Sequence, residues 1–570
     1  MSALILGMIG SLRADVKMPA IFGDHMVLQQ EMTLPVWGTA DPGEKVTVTV
    51  GAETAAAAAD ATGKWMVKLP PLSNGSAPAT MTVAGKNTLT FSDVLVGDVW
   101  VCSGQSNMEF DLGGNHSFGG AANAATAVPA ANDPQLRFFV VQKKTALEPV
   151  SDVVGKWEVC TPDSAALFSA VGYFFGQELR HSLNRPIGLI GTYWGGTPAQ
   201  AWTSISGLQK EPALKAYVDQ YNRNVANYPK AMAEQPAKIA AFHTALTAWN
   251  HDVNPGYQAA LKAWTDADNK AKAAGQPEPP KPQPSTPMPR PPVGPDGGSN
   301  SAANLFNGMI APLIPYAIKG TIWYQGESNA GNGPEYRTLF GRMITDWREK
   351  WGEGDFPFLF VQLASFDAGP VPNWPYLRES QLKTLSLPNT GMASAVDLGD
   401  FHNLKNIHPL DKLDVGLRLA LAAKHVAYGQ NLVYSGPIYD SFTVEGNAIR
   451  VNFTQTGGGL IIGRPPWIDP SVAPWPVDKL TGFEIAAADG NYVPADAKID
   501  GNTVVISSPQ VTQPVFVRFA WSNVVKANLY NKEGLPAAPF RTDNQPPPMA
   551  PAPKAPMPAP AAPTPALKIP

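Results

Sequence analysis

The segment Val99-Trp100-Val101-Cys102-Ser103-Gly104-Gln105-Ser106-Asn107-Met108-Glu109 carries the pattern from which the fold is predicted. Four apolar residues, typical of a buried strand, run directly into a Gly-x-Ser turn and then into a stretch that can begin a helix. A serine in such a turn can expose its Oγ, and its own N–H then points toward an incoming carbonyl oxygen. On spacing alone, a plain turn serine is the commoner interpretation of Ser106.

The same alternation of a short apolar run with a helix-like stretch recurs along the chain. Further strands are predicted at 187–190, 321–324, 358–361 and 392–396, and helices at 165–182, 334–351, 375–385 and 410–428. Alternating strands and helices indicate a parallel sheet that is covered by helices on both faces. Functional sites in such sheets form beyond the carboxyl ends of the strands, and the unusual polar residues of this chain fall there.

Composition outside this region indicates further units. Period-two alternation and turn residues predict β structure before and after the core, Ala- and Lys-rich stretches predict helices in an insertion, and a Pro/Ala-rich tail predicts disorder. We therefore expect an N-terminal β domain at 16–95, a catalytic domain at 96–206 and 301–430, a helical and Pro-rich insertion at 207–300, a C-terminal β domain at 435–543, and a disordered tail at 545–570. The insertion either shapes a substrate cleft or is a solvated appendage, and the sequence favours neither.

The bulk composition restricts the function. A formal charge of −4 over 570 residues gives no basic footprint for nucleic acid, and no apolar run is long enough to span a membrane. The two cysteines, Cys102 and Cys160, cannot form a disulfide framework and do not resemble a zinc site. Two buried thiols are expected, and one disulfide between them is the alternative. Residues 1–14 look like the end of a secretory signal, which predicts a secreted or periplasmic protein.

Two predicted strands end in residues that can stabilise a developing negative charge. Gly195-Gly196 follows the strand at 187–190, and paired glycines either let the backbone approach a ligand or form a tight turn. Gln325 and Asn329 follow the strand at 321–324, and either side-chain amide can complete an oxyanion hole. Glu327 between them can fix a loop or orient a histidine. Structural hydrogen bonding is the alternative for all three side chains.

The last predicted strand leads into a loop that contains Asp397, Asp400, His402 and His408. A serine nucleophile needs a base, and histidine suits that role near neutral pH. His408 comes directly before a predicted helix, which fixes its position. A single loop histidine is more often a surface residue than a base, so the combination of motifs is more informative than any member.

Four segments in order resemble the sialate O-acetylesterase family, within the wider SGNH-hydrolase superfamily. They are SGQSNME at 103–109, GGTPAQAW at 195–202, WYQGESNA at 323–330 and IHPLDKLDVGLRLA at 407–420. Residues 28–48 and 380–393 are similar to the family as well. The resemblance covers about 16–430 without the insertion.

The resemblance implies a three-layer α/β/α, flavodoxin-like SGNH-hydrolase core flanked by N- and C-terminal β-sandwich-like domains. It implies Ser106 as nucleophile and His408 as general base, with Gly196 and either Gln325 or Asn329 stabilising the oxyanion. Relatives usually carry an aspartate two or three residues before this histidine, where this chain has Lys405 and Asn406. The carboxylate that orients the base is therefore open: Asp397 is the first candidate, followed by Asp400, Glu327 or a backbone carbonyl.

The expected reaction is hydrolysis of O-acetyl esters on a carbohydrate through an acetyl-enzyme, without a metal or another cofactor. The expected partner is an acetylated sialic acid or an acetylated plant or algal glycan. The motifs leave two alternatives from other classes: a carbohydrate-binding protein whose esterase core has decayed, and a surface adhesion protein. A lipase or peptidase is a weaker enzymatic alternative, because no lipid-binding amphipathic segment is evident.

Overall fold

The computed structural model describes residues 15–73, 75–114, 119–274, 276, 279–369, 373–465, 475–526 and 528–547. The expected signal remnant at 1–14 and almost all of the expected tail lie outside the described residues.

The strands are β1 Val27–Gln29, β2 Leu34–Thr39, β3 Lys45–Val50, β4 Glu53–Ala58, β5 Lys64–Leu69, β6 Gly75–Ala84, β7 Thr88–Gly104, β8 Asp133–Val140, β9 Trp157–Cys160, β10 Ile187–Tyr193, β11 Gly320–Tyr324, β12 Phe358–Gln362, β13 Thr390–Ser394, β14 Ile438–Glu445, β15 Ala448–Thr454, β16 Leu460–Ile462, β17 Phe483–Ala486, β18 Val493–Pro494, β19 Asp496–Asp500, β20 Thr503–Ser507, β21 Phe516–Phe519, β22 Leu529–Asn531 and β23 Phe540–Arg541. The helices are α1 Ser106–Glu109, α2 Ala124–Ala130, α3 Pro162–Leu167, α4 Ala170–Leu183, α5 Ile205–Gln209, α6 Lys215–Asp252, α7 Asn254–Ala273, α8 Gly333–Trp351, α9 Asn373–Lys383 and α10 Leu413–Val426.

The central sheet has the strand order β13-β12-β11-β7-β10-β8-β9. The pairs from β13 to β8 are parallel, and the five strands predicted from the apolar runs are all among them. The last pair, β8 with β9, is antiparallel, so the expectation of a purely parallel sheet is wrong at this edge. The alternation of strands with helices gives no signal for β8 and β9, because an antiparallel pair needs no crossover helix, and residues 141–156 between the two strands contain none.

Helices cover both faces of this sheet. Trp100 of β7 packs against Phe175 of α4, whereas Trp323 of β11 packs against Trp347 of α8. Trp100 pairs with Gly320 across the ladder, and three positions along a strand reverse the face, so the two tryptophans point in opposite directions. Helix α10 lies beside α4 and α9 beside α8. The architecture is therefore mixed α/β with a helical layer on each side of the central sheet.

The helix α8 shows how the sequence specifies these layers. Its buried residues recur at three- and four-residue intervals, which produces one apolar stripe toward the sheet: Tyr336, Leu339, Phe340, Met343, Ile344 and Trp347. Gly352 ends the helix in the left-handed conformation, with φ of 73°. The prediction of a helix at 334–351 is confirmed.

Strand β7 is shared between the N-terminal strands and the central sheet. Its first half pairs with β6 and β1, and its second half with β10 and β11. Its burial alternates at first and becomes complete from Val94 onward, since the second half is covered on both faces. One hydrophobic core joins β3 to the central sheet. The expected boundary at 95/96 thus falls inside one continuous strand.

The segment after α10 forms further small sheets. Their strand orders are β14-β15-β20-β19, β18-β17-β21-β23 and β16-β22. They enclose a second hydrophobic core that includes Ile449, Val451 and Phe519. The alternating residues of β15 pack their apolar side inward, as predicted from the sequence.

The insertion contains the long helices α6 and α7, as its composition predicted. Within α6 only Tyr221 and Trp249 are buried, and the indole N–H of Trp249 donates to the carbonyl of Thr286 in the Pro-rich segment that follows. Across the described ranges, none of the helices is both long and apolar enough to cross a bilayer. Cys102 and Cys160 are both buried free thiols.

Candidate active site

The ends of three neighbouring strands are tied together around Ser106. The strand β7 ends at Gly104, and the N–H of Gln105 donates to the carbonyl of Tyr324 at the end of β11. On the other side, the N–H of Trp194 donates to the carbonyl of Gly104. Gly104 has φ of 141°, and a Cβ there would come within 2.1 Å of the Tyr324 oxygen. Only glycine allows this close approach, which places Ser106 at the start of α1 and at the edge of the sheet.

The loop after β13 brings His408 to Ser106. His408 Nε2 lies 2.8 Å from Ser106 Oγ, although the residues are 302 positions apart in the chain. This distance is that of a hydrogen bond, so the imidazole can accept the hydroxyl proton. A serine hydroxyl held by a histidine at a strand end is a suitable nucleophile–base pair.

Ser106 and His408 lie on the wall of an open cavity of about 630 Å³. The remaining wall comes from the turns after β7, β10 and β11, from one lysine and from the residue before His408: Gln105, Glu109, Lys143, Trp194, Gly195, Gly196, Glu327, Ser328 and Ile407. Within the described structure, no residue of α6 or α7 contributes to this wall. The cavity can therefore hold a small polar substrate directly against the Ser106 hydroxyl.

Two backbone N–H groups at this cavity can stabilise an oxyanion. Among the described residues, neither the N–H of Ser106 nor that of Gly196 donates to a protein acceptor. Gly196 has φ of 74°, and no atom lies within 4 Å of the position of its missing Cβ. The N–H of the preceding Gly195 donates to Glu109 Oε2 over 2.5 Å, and Lys143 pairs with the same carboxylate. The Glu109 side chain therefore fixes the glycine turn relative to α1.

Residues 96–270 and 301–425 match the family model of the sialic acid-specific acetylesterases, which are carbohydrate esterases. The chain belongs to this family.

Two sialate O-acetylesterases and one solved structure show how far the likeness to the sialic acid-specific acetylesterase family extends. The Rattus norvegicus enzyme is 32% identical over 452 residues, which are 73% of this chain and 74% of the rat protein. The Homo sapiens enzyme is 30% identical over 465 residues, or 76% and 75% of the two chains. A crystal structure of a carbohydrate acetylesterase from Xanthomonas citri has a TM-score of 0.72 at 36% identity, covering 93% of this chain and 100% of that chain. The resemblance inferred from the four motifs is confirmed, as is the expectation of a carbohydrate O-acetylesterase, and a decayed binding module is not favoured.

Gln325 and Asn329 are held by other protein groups in this acetylesterase-family chain. Gln325 Nε2 donates to the carbonyl of Thr197 and to Asn329 Oδ1, and its Oε1 accepts from the Tyr336 hydroxyl. Asn329 Nδ2 donates to Gln200 Oε1. In this arrangement the two amides join the β10 and β11 turns to each other. This is structural hydrogen bonding, the alternative to oxyanion stabilisation for these side chains. Their role as oxyanion donors stays a prediction.

Glu327 is bound to the residue after the nucleophile. Its Oε1 accepts from Asn107 Nδ2 over 2.6 Å, while its Oε2 is buried without a hydrogen-bond partner among the described residues. Burial raises the pKa of this carboxyl, and hydrogen bonds and the Lys412 charge oppose that shift. Glu327 thus holds α1, which is the first of the two roles considered for it.

The sequence suggested that Asp397 orients His408, but the contacts of its carboxylate are with Arg418 and Tyr530. Its Oδ1 accepts from Arg418 Nη1 over 2.6 Å, and its Oδ2 accepts from Arg418 Nη2 and from the Tyr530 hydroxyl, each over 2.9 Å. Both oxygens of this fully buried carboxylate are thereby used in an ion pair. Among the described residues, Asp397 therefore pairs with Arg418 and is not brought to His408, and its role in orienting His408 stays a prediction.

Asp400, the second candidate, acts on the histidine loop through its backbone. Asp400 Oδ2 accepts from Asn406 Nδ2 over 2.9 Å, and Asn406 Oδ1 accepts from the N–H of His408 over 3.0 Å. Asp400 also accepts the N–H groups of His402 and Asn403, which curl the loop around it. Asn406 thus links the Asp400 carboxylate to the main chain of His408.

The electrostatic surroundings keep His408 neutral. Burial, and then the positive charge of Lys412, lower the pKa of the imidazole to about 4. A neutral imidazole is the form that can accept the Ser106 proton. Sequence reasoning missed Asn107, Glu109 and Lys412, although all three lie inside the motifs SGQSNME and IHPLDK. The described residues contain no cluster of three or more His, Cys, Asp and Glu side chains suited to a metal ion.

The aromatic residues near the motifs divide into core and cavity. Trp202, Trp323 and Tyr324 are fully buried and pack in the core. Trp194 is half-buried and lines the cavity, with the Lys143 ammonium 5.5 Å from its ring centroid. Of these four aromatic side chains, Trp194 is therefore the one that can contact a sugar ring beside Ser106.

Proposed function

We propose that this chain removes O-acetyl groups from a carbohydrate through an acetyl-enzyme on Ser106, with His408 as the general base. The observation that carries the proposal is the 2.8 Å contact between His408 Nε2 and Ser106 Oγ at the edge of a cavity large enough for a sugar. The family membership supports the same chemistry. The sugar is either an acetylated sialic acid or an acetylated plant or algal glycan, and acetate release from each kind of substrate distinguishes them.

The proposed reaction has two steps in which the proton moves through His408. His408 takes the Ser106 proton while Oγ attacks the acetyl carbonyl, and the N–H groups of Ser106 and Gly196 stabilise the oxyanion. The sugar alkoxide then leaves with the proton from His408. Water attacks the acetyl-enzyme with the same base, and acetate and the free serine result. In this mechanism Asp400 and Asn406 hold the backbone of the base.

The proposal extends to the architecture and the location of the protein. The core would be a three-layer SGNH-hydrolase domain at 96–206 and 301–430, supported by the helical layers on both sheet faces and by the Xanthomonas citri structure. The protein would also contain the insertion at 207–300 and the β domains at 16–95 and 435–543. It would be secreted or periplasmic. The substrate is the one partner that this mechanism requires.

A pH prediction follows from the environment of His408. Since burial and Lys412 lower the pKa of His408 to about 4, the imidazole stays neutral in moderately acidic solution. We expect kcat/KM for a simple acetate ester to be constant from about pH 6 down to about pH 5 and to fall as the pH drops through about 4. Rates measured between these limits, with recovery after return to neutral pH as the control for unfolding, would check this. An acid limb centred near 6.5 would contradict it, because that is where an exposed imidazole titrates.

The function itself is tested with acetate release from O-acetylated sialic acid and acetylated xylo-oligosaccharides. The wild-type protein should release acetate from at least one of them. Replacing Trp194 by Ala removes the aromatic surface beside Ser106, which costs about 1 kcal/mol of stacking and raises KM for the sugar acetate roughly five- to ten-fold. The KM for ethyl acetate, which has no ring to stack on the indole, should change little.

The matched control is Trp264→Ala, which removes a half-buried tryptophan from α7, away from the cavity. This control should leave both KM values unchanged. The carbohydrate assignment is wrong if no acetylated sugar is hydrolysed. The assignment of Trp194 is wrong if its replacement changes the two KM values equally.

A further inference from the structure

A buried lysine lies next to the nucleophile and takes no part in the mechanism above. Lys412 is completely buried, and its Nζ donates to Asn107 Oδ1 over 2.6 Å. The ammonium also lies against two aromatic rings, 4.6 Å from the centroid of Phe110 and 5.5 Å from that of Tyr324. A buried lysine is costly, so its position next to Ser106 needs a reason.

Two acidic side chains, Glu327 and Asp411, lie near Lys412. Burial lowers the pKa of Lys412 to about 7, whereas Glu327 and Asp411 act against this shift. Burial also raises the pKa of the Asp411 carboxyl to about 8. In the acidic range in which His408 titrates, Lys412 carries its charge. Its effect on His408 is to disfavour the imidazolium.

The partner of Lys412 connects the two halves of the active site. Asn107 Nδ2 donates to Glu327 Oε1 over 2.6 Å and to the carbonyl of Ile407 over 3.0 Å. Asn107 directly follows Ser106, and Ile407 directly precedes His408. One amide side chain therefore holds the turn that bears the nucleophile against the loop that bears the base.

The chemistry of the donors determines which way this amide faces. An ammonium only donates, so it requires the amide oxygen of Asn107. The amide nitrogen then faces Glu327 and the Ile407 carbonyl, which both accept. Without the ammonium, the oxygen of Asn107 loses a charge-assisted partner, and the reversed orientation would set it against two acceptors.

We propose that Lys412 is a positioning residue for ester hydrolysis, which orients Asn107 so that Asn107 fixes Ser106 and His408 in register. Glu327 accepts a hydrogen bond from the nitrogen of the same amide whose oxygen binds Lys412. This inference rests on the proposed function, since it concerns the geometry of the Ser106–His408 pair. Lys412 is fully buried and does not line the cavity, so the residue acts through Asn107.

The test is Lys412→Met, which keeps an unbranched side chain and removes both the donor and the charge. We expect kcat for p-nitrophenyl acetate to fall about 10²-fold, as for a displaced nucleophile–base pair, with little change in KM. The acid limb of kcat/KM should also move to higher pH, because the positive charge that disfavours the imidazolium is gone. The movement of that limb reports the loss of the Lys412 charge, whereas the fall in kcat reports the loss of positioning through Asn107.

The control is Lys424→Met on helix α10, which Lys412 directly precedes; the Lys424 ammonium pairs with Glu178 away from the cavity. This variant should keep the wild-type kcat and pH profile. Asn107→Ala removes the bridge but keeps the ammonium, so its kcat should also fall, and adding Lys412→Met should lower kcat little further. Asn107→Ala also tests the bridge if Lys412→Met does not fold.

The outcomes separate this inference from the proposed function. If Ser106→Ala abolishes hydrolysis while Lys412→Met and Asn107→Ala keep the wild-type kcat and acid limb, the positioning role is wrong and the esterase mechanism stands. Additive losses in the double variant would also overturn it, since they show that Lys412 does not act through Asn107. If Ser106→Ala retains hydrolysis, the proposed function fails first.

Discussion

Replacing Ser106 by Ala is expected to lower kcat for acetate-ester hydrolysis by about 10⁶-fold, the loss seen when a serine hydrolase loses its nucleophile. The reason lies in the mechanism: without Oγ no acetyl-enzyme can form, and the remaining oxyanion donors stabilise only direct attack by water. The variant should fold normally, since an alanine fills no more space than the serine at the start of α1. The measurement is kcat on p-nitrophenyl acetate with a thermal melt in parallel.

The same loss is expected for His408→Ala, and the double variant should be no worse than either single one. Residues that act as a unit give such non-additive losses, because the reaction needs both at once. A matched control is Ser328→Ala, which removes an exposed hydroxyl from the wall of the same cavity and should retain the wild-type rate. Ser106 is not the nucleophile if Ser106→Ala hydrolyses the ester at a rate near that of Ser328→Ala.

The acetyl-enzyme gives a second readout. Rapid quenching of the wild-type protein during turnover should show a species heavier by one acetyl group, and Ser106→Ala should not show it. His408→Ala should not accumulate the adduct either, because the Ser106 hydroxyl then lacks the base that activates it. An adduct that persists in Ser106→Ala would place the covalent step on another residue.

The layout of the site was predictable because it depends on local patterns. Apolar runs that end in Gly, Ser or Asn indicated the parallel strands, and parallel strands present their carboxyl ends on one edge. That rule predicts that Ser106 and Gly196 lie at the same edge of the sheet. His408 required one more step, the need of a serine nucleophile for a base. The helix bounds were predicted to within a few residues for α8, α9 and α10.

The partners of the buried polar side chains were not predictable in the same way. Asp397 pairs with Arg418 and with Tyr530, which is 133 residues away in a different sheet. Gln325 is satisfied by groups on two other turns. Such pairings are decided by which donors meet in three dimensions, and one sequence gives no signal for them. The residue type at a strand end shows which hydrogen bonds and ion pairs its side chain can form. Only the folded structure shows whether neighbouring protein groups already form them.

Asp397→Asn tests whether Asp397 serves the buried ion pair with Arg418 or orients His408. Of the predicted variants, it should lower the free energy of unfolding most. Asp397 is fully buried, and the Asn variant would leave the Arg418 guanidinium without its counter-charge. Breaking a buried pair by removing one partner costs about 3–5 kcal/mol in the free energy of unfolding. The loss should include the link to β22, because the Tyr530 hydroxyl donates to the same carboxylate.

The catalytic readout then separates structure from mechanism. If Asp397 serves the ion pair, the folded fraction of Asp397→Asn should retain kcat within a small factor at a temperature well below its melting point. If Asp397 instead oriented His408, kcat would fall by about 10⁴-fold, as in a triad whose aspartate becomes asparagine. Asp400→Asn is the matched comparison, because its partly exposed carboxylate binds only neutral donors from its own loop, including the Asn406 amide that holds the backbone of His408. It should cost little stability, so a kcat loss in Asp400→Asn alone would assign the orientation of the base to the Asp400–Asn406 contact.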